Sequence, residues 1–361
     1  MKNKFKIATL LFFATSFTLG ACSDWTDIEG IDIKQPNIQE QNPELYTKYL
    51  ENLVLYKQSV HKITIASIDN KGTAPACRNE HLTDLPDSID YICLNNILEV
   101  NAMNAAEVAE VHKKGTKVVG LIDFDAIEAR WKAILDEEAN TPAPEESEEG
   151  GDGEEGDEEV VVDPAARFID FCKTETAKQL AACDALGLDG VELNFTGTDL
   201  NSIIGEEAVV AETMRQGAFF DLVNEWKASC GKAILFKGCP QNVIDKQILS
   251  DCEFIIINAH SAKNYDEMSY LVMMSYMDGI PTDRYVMGVS TPYVNAAGIA
   301  TGEFGDGTLS VIGAARWAIL PVSGYVKAGI SIDAIQQDYF NVTFVYPNAR
   351  EAINIMNPTV N

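Results

Sequence analysis

From residue 62 onward the chain alternates two patterns. Short apolar runs come first, followed by stretches in which apolar positions return every three or four residues. The apolar runs are "KITIASID" (62–69), "SIDYICLNN" (88–96), "TKVVGLIDFD" (116–125), "LDGVELNF" (188–195), "KAILFKG" (232–238), "EFIIINAH" (253–260), "RYVMGVST" (284–291) and "AGISIDAIQ" (328–336). Several are apolar nearly throughout and turn polar at their C-terminal ends, as parallel strands covered by helices on one side do. Helical periodicity marks 100–114, 126–138, 164–186, 205–229, 242–250, 263–278, 308–319 and 347–356. A further helix starts at Asn42-Pro43, with Asn as the cap and Pro in the first helical position. Eight strands with helices between them predict a (β/α)8 TIM barrel. The alternative, an open doubly wound sheet, usually carries a Gly-rich phosphate turn after its first strand, and "IDNKGTAPA" has no G-x-G-x-x-G.

One strand combines apolar and polar faces most sharply. In "GLDGVELNFTG", Val191, Leu193 and Phe195 alternate with Glu192, Asn194 and Thr196, so one face presents a carboxylate, an amide and a hydroxyl. In a barrel such a face points inward, toward the mouth formed by the strand C-termini. Other polar residues at predicted strand ends are Asp69, Asn70, Asn95, Asn96, Asp123, Asp125, Lys237, Asn258, His260, Thr291, Tyr293, Gln336, Gln337 and Asp338. Amides and carboxylates beside aromatic faces suit the hydroxyls and apolar ring face of a sugar. The competing explanation is that each of them only satisfies loop backbone. A lone Lys237 gives little basis for phosphate binding, and G-x-S-x-G is absent. His260 has no second ligand at useful spacing, so it reads as a core or rim histidine, and neither a metal nor a cofactor is expected.

Composition adds the setting. The chain has 361 residues, 46% hydrophobic, enough for a full core, and a net charge of −28. That charge argues against nucleic acid and anionic lipid surfaces as partners. Residues 136–163 hold fourteen carboxylates and no Lys or Arg, half of the net charge. Nearly devoid of apolar residues, this stretch is expected to be a disordered acidic insertion (139–163) rather than a calcium loop, because EF-hand ligand spacing is missing. At the N-terminus Lys2, Lys4 and Lys6 precede "IATLLFFATSFTLG" and then "LGAC". This predicts a lipoprotein signal (1–21) with Cys22 as the lipid attachment site, a tether over 22–41 and a single domain over 42–361. An ordinary secretory signal with a chance cysteine is the alternative. The expected location is the outer membrane, on the periplasmic or cell-surface face, with membrane contact through the lipid alone. The other seven cysteines are scattered, with no CxxC pair, and read as buried small residues, although one disulfide stays open.

On these residues the chain resembles glycoside hydrolase family 18, the chitinase and endo-β-N-acetylglucosaminidase family. "GLDGVELNFTG" is similar to the family's fourth-strand motif D-x-x-D-x-D-x-E. "DLPDSIDYICLNN", "KGTKVVGLID" and "KAGISIDAIQQDYF" fall where the family has its second, third and eighth strands. The leader "CSDWTDIEG" and the layout resemble family-18-like surface lipoproteins of glycan-foraging gut bacteria. The resemblance puts the motif's aspartates on Asp189, Glu192 and Asn194, and its catalytic glutamate on Thr196. It thereby implies a glycan cleft whose acid and acetamido-steering carboxylate are both replaced. The third-strand S-x-G-G and sixth-strand M-x-Y-D have also drifted, to "LIDFD" and "INAHSA". Glu192 lies four residues, roughly 13 Å at about 3.3 Å each, deeper than Thr196, and is expected to pair within the core. Asp199, just past Gly197, is the acid that could fold back over the cleft.

The expectation is therefore a binder of N-acetylglucosamine-containing glycans, of N-glycan or chitin type, that serves neighbouring glycan-uptake proteins. Asp123, Asn194, Thr196, Asn258, His260 and Tyr293 would be its contacts. The alternatives are an active endo-β-N-acetylglucosaminidase with a displaced acid, and a structural lipoprotein of a glycan-uptake complex.

Overall fold

The computed structural model describes residues 38–140, 163–294, 298, 300–340 and 343–358. The expected signal peptide, Cys22, most of the tether and most of the acidic insertion lie outside these residues. By compactness the chain divides into residues 1–48 and residues 49–361.

The second unit is a closed barrel of eight parallel strands. They are β1 (Ile63–Ile68), β2 (Tyr91–Leu94), β3 (Lys117–Asp123), β4 (Gly190–Phe195), β5 (Ala233–Gly238), β6 (Phe254–Asn258), β7 (Tyr285–Ser290) and β8 (Lys327–Asp333). Each strand pairs with its sequence neighbours, and β1 closes on β8 with Ile63 opposite Gly329. The larger helices are α1 (Pro43–Gln58), α2 (Ala102–His112), α3 (Phe124–Asn140), α4 (Pro164–Ala185), α5 (Glu206–Cys230), α6 (Gln247–Asp251), α7 (Tyr265–Met274), α8 (Ser310–Ile319) and α9 (Pro347–Met356). The (β/α)8 reading therefore holds, with every predicted strand and helix within a few residues of its place except α6, which is shorter than its pattern. One strand is shorter than its pattern: β8 stops at Asp333, and Ile335–Asp338 form a 3-10 turn instead.

Period-two alternation sorts the side chains. Ile65, Tyr91, Cys93, Val119, Leu235, Ile256 and Val286 pack inside the barrel. Val191, Leu193 and Phe195 join the larger core between strands and helices. Phe195 is fully buried, with its ring centroid 5.0 Å from those of Phe124 and Phe220. Burying a phenylalanine in this way stabilises by roughly 1.5–3 kcal/mol, and it fixes the opposite face of β4 toward the barrel interior. At the N-terminal end Tyr91, Lys117 and Glu253 close the barrel: the Lys117 ammonium donates to Tyr91 Oη at 2.9 Å, and Tyr91 Oη donates to Glu253.

The crossover from β3 to β4 uses two long helices. Arg130 pairs with Glu175 and Arg167 with Glu138, so α3 and α4 run antiparallel. Asp163 caps α4 by accepting from Ala165 N, with Pro164 in the first turn. In α5, the Phe219 ring meets Phe124 at a tilt, centroids 5.2 Å apart, level with the end of β4, yet the helix begins thirteen residues earlier at Glu206. At 1.5 Å per residue, about 20 Å of α5 extends beyond the strand ends. The first turns of α5 line one cavity with α3 and the start of α4, among Trp131, Phe168 and Met214.

The cysteine reading holds in part. Cys93, Cys172, Cys183 and Cys252 are buried, Cys77 and Cys230 are exposed, and all seven described thiols are free. The two exposed ones lie in a loop and at the end of α5, where no core exists for them to fill.

Candidate functional site

The inner face of β4 governs the barrel mouth. Its register sets Asp123, Asn194 and Lys237 side by side across β3, β4 and β5. Below them Glu192 is fully buried, with Lys237 Nζ 3.6 Å from its Oε1. No N–H or O–H donor reaches hydrogen-bonding distance of either Glu192 oxygen among the described residues. Burial raises the Glu192 pKa, and the Lys237 charge only partly offsets it. The expectation that Glu192 pairs within the core is thus met by Lys237 at long range, with the Cys93 thiol beside it.

Lys237 spends its charge elsewhere. It donates to both carboxylate oxygens of Asp333, at 2.8 and 2.7 Å. His260 Nε2 lies 2.8 Å from Asp333 Oδ2, outside good hydrogen-bond geometry. Burial opposes the charge on Asp333, but Lys237 and His260 outweigh it and hold the carboxyl well below its ordinary range. Burial likewise opposes the Lys237 charge, and Asp333 with Glu192 keeps the ammonium well above its ordinary range. The floor of the mouth is therefore an internally neutralised pair, and Lys237 is not available to an incoming anion.

At the rim, two carboxylates converge on the β4 exit. Asn194 Nδ2 donates to Asp123 Oδ1 at 2.9 Å and approaches Asp125 Oδ2 at 3.5 Å. Thr196 N–H donates to Asp125 Oδ1 at 3.0 Å. Asp123 also caps α3 by accepting from Ala126 N. The amide of Asn194 is thereby oriented: its nitrogen faces carboxylates, so its Oδ1 remains as an acceptor with no donor among the described residues. Neither Asp123 nor Asp125 makes an ion pair among the described residues.

The other predicted residues are distributed as follows. Asn258 is exposed at the end of β6, and its Oδ1 accepts from His260 N. Tyr293 is half-buried on a two-residue hairpin strand paired with Thr301. Asp189 lies at the opposite end of β4, bonded to Val118 N and His112. Asp199 caps the turn 200–202 through Asn201 N, and no bond links it to Asn194 or Thr196 among the described residues. Some strand-end polar groups chiefly satisfy backbone. Asn70 bonds the main chain of Asn96 and Glu99, and Asp338 caps α9 through Ala349 N.

Two residues central to the mouth are not among the contacts the sequence singles out, although Asp125 is one of its strand-end polar residues. Asp333 was hidden by reading β8 through to 336, although the alternation Ser331, Asp333 carries the same signal as Glu192, Asn194. Asp125 is recognisable at Thr196 only through a contact spanning 71 positions, which no local pattern encodes.

The profile of glycoside hydrolase family 18, BT1044-like, matches residues 26–355. No curated protein matches the chain. Among solved structures, a BT1044 variant carrying a Glu→Gln substitution aligns with TM-score 0.60 at 15% identity, covering 90% of this chain and 96% of that one. The endo-β-N-acetylglucosaminidase of Cordyceps militaris aligns with TM-score 0.58 at 18% identity, covering 86% and 95%. A mutant of that enzyme in complex with fucosyl-N-acetylglucosamine-Asn aligns with TM-score 0.57 at 18% identity, covering 86% and 95%.

Proposed function

The chain belongs to glycoside hydrolase family 18, BT1044-like, and from that premise we propose that it binds N-acetylglucosamine-containing glycans at the barrel mouth without hydrolysing them. The observation that carries this is the orientation of Asn194. Asp123 and Asp125 hold its nitrogen, leaving Oδ1 to accept the N–H of an acetamido group. Hydrolysis assisted by the substrate's own acetamido group needs more than this. It needs an acid for the leaving oxygen and a negative charge to stabilise the oxazolinium that forms. Thr196 stands at the acid's position, and an aliphatic hydroxyl does not release a proton near neutral pH. Asn194 steers the amide but brings no charge. His260, Asn258 and Tyr293 extend the same rim, and the solved relative in complex with fucosyl-N-acetylglucosamine-Asn supports the choice of ligand class.

The setting is part of the proposal. The leader ending at Cys22 supports a lipid anchor on the outer membrane, with the barrel held on the cell-surface or periplasmic face beside other glycan-uptake proteins. Among the described residues no helix is long and apolar enough to cross a membrane.

A second reading rests on Asp125 rather than on Asp199. Its carboxylate receives the N–H of Thr196 and lies beside Asn194, so it could replace the missing acid in an active endo-β-N-acetylglucosaminidase. One experiment separates the readings. The purified full chain is incubated with N-glycans and chitin oligosaccharides while binding is followed by calorimetry and products by mass spectrometry. Binding without product supports the first reading. Product that disappears in Asp125→Asn replaces it with the second, and no binding to any glycan leaves the structural role.

A further inference from the structure

The outer helix α7 is apolar on both sides. Met268 and Val272 turn inward and are buried, while Tyr270, Met273 and Met274, at i, i+3 and i+4, face out with 51–65% of their surface exposed. A helix that is apolar all round is ordinarily buried all round, because an outward apolar stripe gains nothing from water. The stripe continues onto the next element: Tyr276 and Met277 follow α7, and Ile319, Leu320, Val322 and Val326 surround the end of α8, all 43–57% exposed. Ser269 joins the two, since its Oγ accepts from Trp317 Nε1 at 3.0 Å and bonds the Tyr325 hydroxyl. At about half their surface each, these nine side chains expose on the order of 1,000 Å². That exceeds the roughly 300–600 Å² of the largest apolar patch on a typical monomer, and it suffices for one side of a specific interface, about 800 Å².

Charge narrows what fits there. Positions 268–277 and 317–326 hold no Asp, Glu, Lys or Arg, in a chain where 23% of residues are charged and the net charge is −28. Two copies of such a chain repel one another over most of their surface, and least where both faces are neutral. The charges bordering the patch carry both signs: Asp266 and Asp278 beside α7, and Arg316 on α8, all exposed and none in an ion pair among the described residues. An anionic lipid surface is disfavoured by that rim, in which acids outnumber the base.

The face also carries both halves of a fit. Beside the protruding methionines, a hollow of about 380 Å³ lies among Ile319, Leu320, Val322, Tyr325 and Val326. The two lysines of its lining are already engaged: Lys327 donates to Trp317 O and Leu320 O at 2.9 and 3.1 Å, and Lys62 donates to Lys327 O. Methionine is unbranched and flexible, which suits it to filling an irregular hollow.

We propose that two copies of this chain associate through α7 and the end of α8 about a two-fold axis, with Met273 and Met274 of each copy seated in the Ile319–Val326 hollow of the other. In such an isologous contact residue i meets j and j meets i, so a knob and a hole on one patch complete each other. The ends of α7 and α8 lie toward the N-terminal ends of the strands, and the mouth lies at the C-terminal ends. Both mouths therefore stay open in the pair, and the pairing is independent of what they bind.

Sedimentation of residues 23–361, which keep every described residue and lack Cys22, tests this. Between about 1 and 100 µM the mass is expected to rise from one chain toward two. Met273→Glu and Leu320→Lys each leave the circular dichroism spectrum and thermal melt unchanged, since both side chains are exposed, and each weakens association about tenfold or more. Mixed in equal amounts the two variants pair again, because the introduced carboxylate of one copy meets the introduced ammonium of the other. A single-chain mass throughout overturns the proposal, and binding to phosphatidylcholine vesicles that is lost in Met273→Glu would then give the face to lipid. A dimer that survives both substitutions, or a mixture that stays monomeric, overturns it as well.

Discussion

Replacing Lys237 with Met tests the electrostatics of the barrel floor. The ammonium donates to Asp333 at 2.7 and 2.8 Å and lies 3.6 Å from Glu192. At an effective dielectric of about 20, Coulomb's law gives about 6 kcal/mol for a contact at the shorter distance and about 5 kcal/mol for the longer one. Desolvation of three nearly inaccessible groups cancels most of this, so the pair adds little net stability as it stands. Removing one partner differs in kind, because Asp333 is left with only His260 for compensation and Glu192 with only the Cys93 thiol. Breaking a buried pair in this way costs about 3–5 kcal/mol. For a domain of this size that lowers Tm by about 8 °C, at about 2 °C per kcal/mol. The deficit also depends on pH. Once Lys237 is gone, burial favours the neutral form of Asp333 with only His260 opposing it, so protonation on acidification recovers part of the loss. Urea unfolding followed by circular dichroism at pH 7 and pH 5 measures both effects. A deficit under about 1 kcal/mol, or one equal at the two pH values, would refute the view that Lys237 neutralises the floor. The triple change Lys237→Met, Asp333→Asn, Glu192→Gln removes all three charges together and is expected to recover most of the stability.

Two further outcomes follow from the same region. Gly238→Ala should destabilise by more than about 1 kcal/mol, measurable as a lowered denaturation midpoint, because φ is +119° and an added Cβ would meet Phe195 O at 2.2 Å; a midpoint equal to that of the unchanged chain would contradict it. The acid limb of stability should contain an Asp333 contribution: its folded pKa is held below the unfolded value of about 3.9, so its stabilisation is present above pH 4 and is lost as pH falls toward the folded pKa. Calorimetric melts between pH 5 and 2 on the unchanged chain and on Asp333→Asn should differ in slope over that interval, and parallel slopes would exclude the contribution.

Much of the molecule is legible along the chain. Alternation in β4 assigned Phe195 to the outer core and Glu192, Asn194 and Thr196 to the inner face, because a strand's side chains change sides at every residue. The apolar runs and their helical partners likewise specified a closed parallel barrel, since parallel strands need a crossover between them and helices to cover their outer faces. The departure of Thr196 from the fourth-strand motif was equally plain in one dimension, being a matter of residue identity.

What remained for the tertiary structure is which groups meet. Asp125 reaches Thr196 across 71 positions, and Lys237 reaches Asp333 across 96. Both contacts follow from barrel closure and register, which bring strand ends together regardless of their separation in sequence. The same geometry tied Asp199 to its own turn and left Glu192 without an N–H or O–H donor among the described residues. It also set α7 beside the end of α8. Sequence periodicity fixes which way a side chain faces, because that depends on its neighbours in the chain. Its partner is decided only when the eighth strand closes on the first.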